Sequence, residues 1–462
     1  MLSSYAFLSV KLSCYMVFKR LTLMKSIAVI GSGIAGLSAA WLLDDQNDVY
    51  IFEKQNRVGG HTNTVDAPLP SGHQPVDTGF IVYNETNYPN LVALFDQLNV
   101  PTEPTNMSFG VSQEHGLLEY SSRNINAVFG QRLNLFSSSF WRMILDIRRF
   151  YKEAPEILKK PKIFREKTLG QYLSENQYSH SFIDNFILTI GAAIWSTNVD
   201  IMRYYPVEAF VRFFSTHGLL QFKQDIKWRT VCGGSREYVK RLTSSLKNPI
   251  QLGNGATKII RENNKVFVID SEGEKRKFDA LIIATHADDA IELLNDADPL
   301  EKKILEKFRY TQNRAVLHTD DTLMPKRKRI WSSWNYMGTT EIGPSVTYWM
   351  NSLQTLDTGI QIFLTINPKK EISSESIICD LNYSHPVFDL DALNAQESLW
   401  RIQGIRNCWF CGSYFGHGFH EDALQSGLAA AENLGDKRRP WRTKLESSRI
   451  HLQPESPRDA II

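Results

Sequence analysis

Three glycines near the start of the chain have the spacing needed to bind a pyrophosphate. Gly31, Gly33 and Gly36 follow the apolar run 27–30 in G-x-G-x-x-G order, and an alanine-rich apolar segment comes directly after them. Gly31 permits a tight turn, Gly33 lets backbone N–H groups approach phosphate, and Gly36 permits close packing of a helix on a strand. The positive end of that helix stabilises the phosphate charge. The expected phosphate contacts are Gly31, Ser32, Gly33, Ile34, Ala35 and Gly36.

An acidic residue follows at the distance that the ribose of a dinucleotide requires. Residues 49–52 form a second apolar run, and Glu53 ends it about 20 residues beyond the glycines. Glu53 is placed to accept hydrogen bonds from ribose hydroxyls. A glycine motif alone is often an ordinary turn, but here strand, glycines, helix, second strand and acid occur in order. The combination predicts a Rossmann-like dinucleotide-binding unit.

The residues after Glu53 carry a family resemblance. The segment Arg57-Val-Gly59-Gly60-His61-Thr62 is similar to the second FAD motif of the FAD-dependent amine oxidoreductase superfamily, which includes monoamine oxidases, protoporphyrinogen oxidase and phytoene desaturases. In that family, Arg-x-Gly-Gly-(Arg/His)-x-(Ser/Thr) closely follows the ribose-binding acid. The resemblance implies that FAD is the cofactor and that it contacts Lys54, Arg57, Gly59, Gly60, His61 and Thr62.

Three later segments resemble further motifs of the same family, in the family's order. Residues 76–83 are similar to a strand beside the flavin ring, residues 254–286 to a hairpin and strand that meet the adenine, and residues 411–427 to a closing Gly-rich loop and helix. The closing motif departs from the family pattern, because Ser413 replaces an acid and residues 421–423 replace a small pair. The further FAD contacts that the resemblance implies are Thr78, Gly79, Phe80, Ala256, Ala284, Gly412, Ser413, Asp422, Ala423 and Ser426.

The chain also resembles an uncharacterised bacterial subgroup described as predicted NAD/FAD-binding amine oxidases. Members share runs like Gly-Phe-Ile-Val-Tyr-Asn, at 79–84 here, and Gly-Phe-His-Glu-Asp, at 418–422. They often neighbour cyclopropane-fatty-acid synthases. That association implies a lipid or fatty-acyl substrate.

Composition restricts the class of protein and its surroundings. The 462 residues include 52 basic and 50 acidic side chains, so nothing in the overall charge points to nucleic acid. The five cysteines are scattered and odd in number, which favours a reducing, cytoplasmic setting. Cys408 and Cys411 have C-x-x-C spacing in an apolar run that indicates a strand, where their Cα atoms would be ~10 Å apart, beyond the roughly 7 Å limit for a disulfide. Two packed thiols are expected.

The pattern along the chain predicts an α/β fold with two domains. A discontinuous Rossmann-like FAD-binding domain is expected over 24–84, 230–290 and 401–435. A mixed α+β substrate or cap domain is expected from two insertions, 85–229 and 291–400. Residues 1–23 are expected to be a non-core extension, with Met24 a candidate for the true start, and residues 436–462 a loose polar tail.

Aromatic residues of the insertions are candidates for a substrate cavity. They are Trp195, His217, Trp334, Tyr336 and Tyr348. Core packing explains aromatic residues about as well, and His217 is also a candidate helix cap or core histidine.

The expected helix 140–158 exposes basic side chains at helical spacing. They are Arg142, Arg148, Arg149 and Lys152. A solvated helix face is the ordinary explanation and is favoured here, while peripheral contact with a membrane surface is the alternative.

The reaction expected from these features is hydride transfer from a substrate C–H bond to flavin N5. Gly253-Asn-Gly255 lacks a third glycine and leads into a strand, so a second nucleotide unit for NAD(P)H is not expected. The substrate would be a lipid, a fatty-acyl compound or an amine, and no metal is expected. The family's lysine near N5 is not identifiable, and the candidate catalytic residues nearest the flavin edge are His417, His420 and Glu421.

Two other functions stay open at this stage. One is a flavin-dependent isomerase or desaturase of acyl double bonds. The other is a non-catalytic FAD-binding partner of a lipid-modifying enzyme.

Overall fold

The structure is a computed structural model that describes residues 24–70, 72–195, 197–220, 226–338, 344–435 and 437–452. The extension expected over 1–23 and the end of the expected tail lie outside these residues. No helix in the described part of the chain is both long and apolar enough to cross a membrane.

The described strands are 2 to 11 residues long and are distributed along the chain. In chain order they are β1 (Ser26–Ile30), β2 (Asp48–Glu53), β3 (Thr64–Leu69), β4 (Gly72–Asp77), β5 (Tyr83–Asn84), β6 (Thr102–Pro104), β7 (Phe109–Gln113), β8 (Leu118–Ser121), β9 (Trp228–Val231), β10 (Gln251–Leu252), β11 (Ala256–Glu262), β12 (Lys265–Asp270), β13 (Lys275–Phe278), β14 (Ala280–Ile283), β15 (Arg309–His318), β16 (Trp334–Gly338), β17 (Ser345–Trp349), β18 (Phe363–Ile366), β19 (Ile377–Val387) and β20 (Cys408–Phe410).

The described α-helices concentrate between β8 and β9. In chain order they are α1 (Ile34–Asp44), α2 (Pro89–Gln97), α3 (Ile125–Val128), α4 (Ser138–Glu153), α5 (Pro155–Leu158), α6 (Pro161–Phe164), α7 (Leu169–Glu175), α8 (His180–Phe182), α9 (Leu188–Ile194), α10 (Val199–Arg203), α11 (Val207–Thr216), α12 (Arg236–Thr243), α13 (Ala287–Leu293), α14 (Pro299–Leu305), α15 (Met350–Leu353), α16 (Leu390–Gln396) and α17 (His420–Leu434). A 3₁₀ turn, Arg132–Phe136, lies between α3 and α4.

A five-stranded parallel sheet forms the nucleotide side of the molecule. Its strand order is β10-β2-β1-β14-β20, so β1 lies in the centre, flanked by β2 and β14. Ile27 and Val29 of β1 are fully buried, as a strand covered on both faces requires. The carboxyl ends of these strands place Gly31, Glu53, Ala284 and Gly412 along one edge, which is where open parallel sheets bind ligands. The predicted α/β class is confirmed.

The cap is built on a seven-stranded mixed sheet. Its order is β19-β15-β18-β17-β16-β7-β8, so strands separated by more than 200 residues lie side by side, as when Trp334 of β16 pairs with Phe109 of β7. The helices α4–α11 cover this sheet and share one apolar core with Val111 and Tyr336. The predicted helix 140–158 is present as α4 and α5, with the break at Pro155.

The described boundaries between the two sides differ from those expected from sequence. Leu294, Leu305 and Phe308 pack with β1 and β14, and so do Ala392 and Leu399. The expected division at 291 and 400 assigns these residues to the cap, but α13, α14 and α16 cover one face of the nucleotide sheet. Their apolar side chains therefore belong to that core.

The segment after α17 is not a loose tail in its described part. The Trp441 ring stacks on Trp41 with 5.9 Å between centroids. Arg439 is buried, pairs with Glu432 at 2.8 Å and donates to Asn90 Oδ1. Residues 437–452 thus pack against the nucleotide side. The charged side chains of this segment led to the expectation of a solvated tail, but Arg439 has a buried ion-pair partner.

Two hairpin turns follow Gly255. β11 and β12 are joined at Asn263-Asn264, whose positive φ angles of 52° and 57° suit a tight hairpin turn. The turn at Glu272-Gly273 connects β12 with β13. Cys408 and Cys411 are buried free thiols, as predicted.

Candidate active site

A cavity of about 1960 Å³ begins at the carboxyl edge of the nucleotide sheet and extends into the cap. Sites for single drug-sized ligands occupy roughly 300–1,000 Å³. This cavity therefore has room for a dinucleotide and a second ligand together.

The start of α1 forms the phosphate end of the cavity. A Cβ built on Gly33 would meet no atom within 4 Å, so the backbone of this turn faces open space. Gly33 is the N-cap of α1 and has no side chain to accept from the first N–H groups of the helix. A phosphate can accept those N–H groups instead.

Glu53 is held at the same edge by its neighbours. Oε2 accepts from Ser32 N at 2.9 Å and from Ser32 Oγ at 2.7 Å, and Oε1 accepts from Gln55 N at 2.8 Å. The carboxylate is buried yet lines the cavity. Its orientation is fixed beside the phosphate turn, where the ribose of a dinucleotide would lie.

Most of the expected FAD contacts line this one cavity, although they come from widely separated stretches of chain. Those that do are Gly31, Ser32, Gly33, Ile34, Ala35, Glu53, Lys54, Arg57, Gly59, Gly60, His61, Thr78, Gly79, Phe80, Ala256, Ala284, Gly412, Ser413 and Ala423. Lys54 is the one lysine among the described residues that line the cavity, and it lies at the ribose end.

Four expected contacts, Gly36, Thr62, Asp422 and Ser426, do not line the cavity and support residues that do. A Cβ on Gly36 would lie 2.0 Å from Gly31 O, so this glycine permits close packing behind the phosphate turn. Thr62 Oγ1 is 2.5 Å from Tyr238 Oη. Ser426 Oγ accepts from Gly412 N at 2.9 Å and so fixes the closing loop on α17.

Asp422 is also structural. Its Oδ2 accepts from Phe419 N at 2.7 Å, capping the first turn of α17, and its Oδ1 is 3.4 Å from Arg449 Nη1. Its side chain lies outside the cavity lining, and a direct contact with FAD stays a prediction for this residue. Its carboxylate is hydrogen-bonded at the N-terminus of α17.

Glu421 points away from the cavity, so it is not a catalytic candidate. Its Oε1 accepts from Asn90 N and Nδ2, and its Oε2 accepts from Leu91 N at 3.0 Å. These are the first N–H groups of α2, which a carboxylate stabilises by charge and hydrogen bonding. The side chain ties α17 to α2.

His420 and His417, the other two candidates, line the cavity. The His420 ring stacks on Phe80 with 4.0 Å between centroids, and its Nε2 is 2.7 Å from Tyr238 Oη. Burial lowers the pKa of His420 to about 3 and that of His417 to about 4. Both imidazoles are therefore neutral near pH 7.

Sequence reasoning missed a cluster of rings around His61. His385 and Tyr383 of β19 lie 5.5 Å and 5.1 Å from the His61 ring, and His286 lies 6.3 Å away. Burial, together with the neighbouring His385 and His286, holds the pKa of His61 well below its usual value. No local signal marks Tyr383 or His385, because only the long-range packing of β19 brings them to the cavity.

Four of the five candidate cap residues, Trp195, His217, Trp334 and Tyr348, line the cavity. Tyr336 does not line the cavity and is buried in the cap core.

Among the described residues, Trp195 and His217 each have one buried polar atom without a hydrogen-bond partner, Nε1 and Nε2 respectively. His217 Nδ1 is 2.9 Å from Phe213 O, which fixes the proton on Nδ1 and leaves Nε2 as an acceptor. Burial holds the pKa of His217 well below its usual value. A ligand in this part of the cavity would find one neutral donor and one neutral acceptor.

Comparison with known proteins agrees with this geometry. The family model described as flavin containing amine oxidoreductase matches residues 34–337, well over half of the chain. None of the curated proteins matches the chain.

Solved structures share the fold at low sequence identity. A CLA-producing fatty acid isomerase from P. acnes is 16% identical over 89% of this chain and 98% of that chain, with a TM-score of 0.63. Cyclohexylamine oxidase from Brevibacterium oxydans IH-35A is 15% identical over 89% and 98%, with a TM-score of 0.64. Wild-type putrescine oxidase bound to putrescine is 13% identical over 89% and 99%, with a TM-score of 0.64. Taken with the family match, the motifs and the cavity, this fold makes the chain a member of the flavin-containing amine oxidoreductase family, an enzyme that uses FAD for oxidation and reduction.

Proposed function

We propose that this enzyme oxidises a C–H bond in the acyl chain of a lipid. The observation that carries the proposal is the lining of the cap, which is mostly apolar and has no carboxylate among its described residues. Bound FAD supplies the hydride acceptor, at its N5 atom. The chain itself must hold the cofactor, orient a long apolar substrate against it and exclude water.

The residues at the sheet edge fit FAD. The open space at Gly33 and the free N–H groups of α1 suit its pyrophosphate, and Glu53 suits its ribose hydroxyls. We place the flavin ring beside the stacked rings of Phe80 and His420 at the start of α17, where Ala423 also lines the cavity. The N-terminus of α17 would there stabilise negative charge on the ring.

The cap part of the cavity suits an acyl chain. Its walls include Phe140, Ile147, Phe186, Ile190 and Ile194, which belong to α4, α9 and the turn before α9. Such walls bury methylene groups at roughly 0.8 kcal/mol each. They also exclude water from the reacting carbon.

The same walls offer little to a cationic amine. Among the described residues that line the cap, none is Asp, Glu or Lys, and Arg123 is the single side chain with a fixed charge. The histidines there are neutral, since burial lowers the pKa values of His217, His385 and His417. A diammonium substrate would lose its hydration without gaining a carboxylate partner.

An anaerobic absorbance titration tests the proposal. The purified holoenzyme is mixed with micellar phospholipid of saturated or unsaturated acyl chains, and separately with putrescine and cyclohexylamine. We expect the flavin absorbance to bleach with a phospholipid and to persist with both amines. Bleaching by the amines alone would overturn the proposed substrate class.

A pair of variants locates the substrate in the cap. Ile194 lines the cavity, whereas Ile201 is 41% exposed and lies outside its lining. Ile194→Trp should raise the KM for long acyl chains more than for short ones, because the ring fills chain-binding space. Ile201→Trp is the matched control and should leave both values unchanged.

Isomerisation of an acyl double bond is the second candidate. A fatty acid isomerase shares the fold, and the neutral histidines around His61 and His420 could move a proton without net oxidation. This function predicts a rearranged acyl chain, detected by mass spectrometry after derivatisation, from a sample whose flavin spectrum returns unchanged.

We also propose a cytoplasmic location, which the described free thiols support.

A further inference from the structure

An apolar surface patch lies on the cap around α3, the 3₁₀ turn and the start of α4. It consists of Ile125, Leu133, Leu135, Phe136, Trp141 and Leu145, which we call the mouth patch. Phe136 is 87% exposed, Ile125 80% and Leu133 73%. Single exposed apolar residues are ordinary, but a contiguous group of this kind marks an interaction surface.

Hydrogen bonds and ring contacts hold the mouth patch together. Trp141 Nε1 donates to Leu135 O at 2.9 Å, and Arg132 Nη1 donates to Phe129 O at 2.9 Å. The rings of Phe129 and Trp141 are 5.4 Å apart. Leu145 lies one turn after Trp141 on the same face of α4. These segments therefore present one surface.

The mouth patch is continuous with the active-site cavity. Ile125 and Trp141 belong to both, and Val128, Phe129 and Ile144 line the cavity directly behind them. A ligand that leaves the cavity at this end meets the exposed side chains of the patch. The proposed acyl substrate could thus pass from one apolar surface to the other without full hydration.

The charge around the mouth patch is net positive. Residues 122–153 contain Arg123, Arg132, Arg142, Arg148, Arg149 and Lys152 against the acids Asp146 and Glu153. Arg142 pairs with Asp146 at 3.4 Å and Arg149 pairs with Glu153 at 3.0 Å, so the other four basic side chains have no acidic partner among the described residues. Asp146 is buried, with its carboxylate accepting from Ser179 N at 3.0 Å. The whole chain has a formal charge of only +2, so the excess is local.

We propose that the mouth patch docks on a bilayer of anionic phospholipid and that the substrate acyl chain enters the cavity from that bilayer. The inference rests on the proposed function. Apolar side chains would enter the interfacial layer while the arginines meet lipid phosphates. A second copy of this chain fits less well, because a two-fold interface would bring the same arginines face to face.

Vesicle sedimentation tests the docking directly. The holoenzyme is mixed with phosphatidylglycerol vesicles and, separately, with phosphatidylcholine vesicles. We expect binding to the anionic vesicles that weakens as salt is added. The double variant Leu133→Asp/Phe136→Asp should bind about tenfold or more weakly, because two large apolar groups no longer leave water. Both positions are highly exposed, so the fold should be unaffected.

Leu445→Asp is the matched control, since Leu445 is 50% exposed on the segment packed against the nucleotide side. It should sediment with vesicles as the unmodified enzyme does. Equal binding by the double variant, or no binding by the unmodified enzyme, would overturn the docking proposal. So would a dimer in size-exclusion chromatography that the double substitution dissociates, because the patch would then join two copies.

Flavin bleaching by short-chain, micelle-forming phospholipid separates this proposal from the proposed function. Such lipid needs no bilayer, so the double variant should retain that bleaching while losing activity on vesicles. Failure of bleaching in the unmodified enzyme would count against the function, whatever the vesicles show.

Discussion

The glycines of the phosphate motif have different structural roles, as the atoms around each glycine show. A Cβ on Gly33 would project into open cavity, whereas a Cβ on Gly36 would lie 2.0 Å from Gly31 O. Gly31 itself has φ +101°, a conformation that other residues adopt only with strain. One glycine keeps space for a ligand, and the others let the turn form.

Substitution by valine should distinguish the role in FAD binding from the role in folding. Gly33→Val should fold with an unchanged melting temperature in the apo form but bind no FAD, because the side chain occupies the cradle. Gly36→Val should fail to fold or melt well below the parent, since its clash is with backbone. Absorbance near 450 nm after FAD reconstitution and circular dichroism melting measure the two effects. A yellow Gly33→Val protein would contradict the assignment of the phosphate site.

Elements that lie together in the chain could be read from sequence, whereas elements joined by distant contacts could not. β1, α1 and β2 are adjacent in sequence, so periodicity, glycine spacing and Glu53 were sufficient to predict them. Asp77 shows the other case. Its carboxylate accepts from Ser235 N at 2.9 Å, Thr64 Oγ1 at 2.6 Å and Gln354 Nε2 at 3.0 Å. It joins three segments of chain ahead of Thr78 and Gly79.

Asp77→Asn should weaken this junction, because an amide nitrogen would face donors that now meet oxygen. We expect a loss of about 1–3 kcal/mol in unfolding free energy, with weaker FAD binding as residues 78–80 shift. Asp66→Asn is the matched control on the same hairpin. Asp66 pairs with Arg236 at the surface, so its loss should cost under about 1 kcal/mol. Equal losses in urea denaturation would show that Asp77 is not a junction.

At the scale of the whole molecule, the sequence predicted the residues at the cofactor end of the cavity better than the way in which the two insertions enclose it. The family motifs predicted residues that line the sheet-edge end of the cavity, but β19 brings His385 beside His61 across more than 300 residues. Glu421 likewise looked catalytic because it lies next to the closing loop, yet it caps α2. Such partners depend on how two insertions pack, and no local pattern records that packing. The narrower subgroup resemblance stays a prediction.

Buried neutral histidines distributed over both sides of the molecule make its stability sensitive to acid. Burial lowers the pKa to about 4 for His318, His385 and His417 and to about 3 for His420. The unfolded chain protonates these rings near pH 6.5. Stability should therefore be complete above that pH and fall as the pH drops toward 4, by about 2 kcal/mol for each ring at pH 5. Against a total stability of roughly 5–15 kcal/mol, a few such rings are enough to unfold the enzyme.

His318 allows this loss to be measured away from the cofactor. It is fully buried in the cap sheet, its Nδ1 accepts from Asp320 N at 3.1 Å, and its Nε2 is 2.7 Å from Thr365 Oγ1. His318→Gln keeps a donor and an acceptor but cannot take up a proton. Urea denaturation of both holoenzymes at pH 7 and pH 5 should show a pH-dependent loss that is smaller in the variant by about 2 kcal/mol. An unchanged difference between the two pH values would mean that His318 is not held neutral by its burial, and the acid sensitivity would have to come from the rings around the cavity.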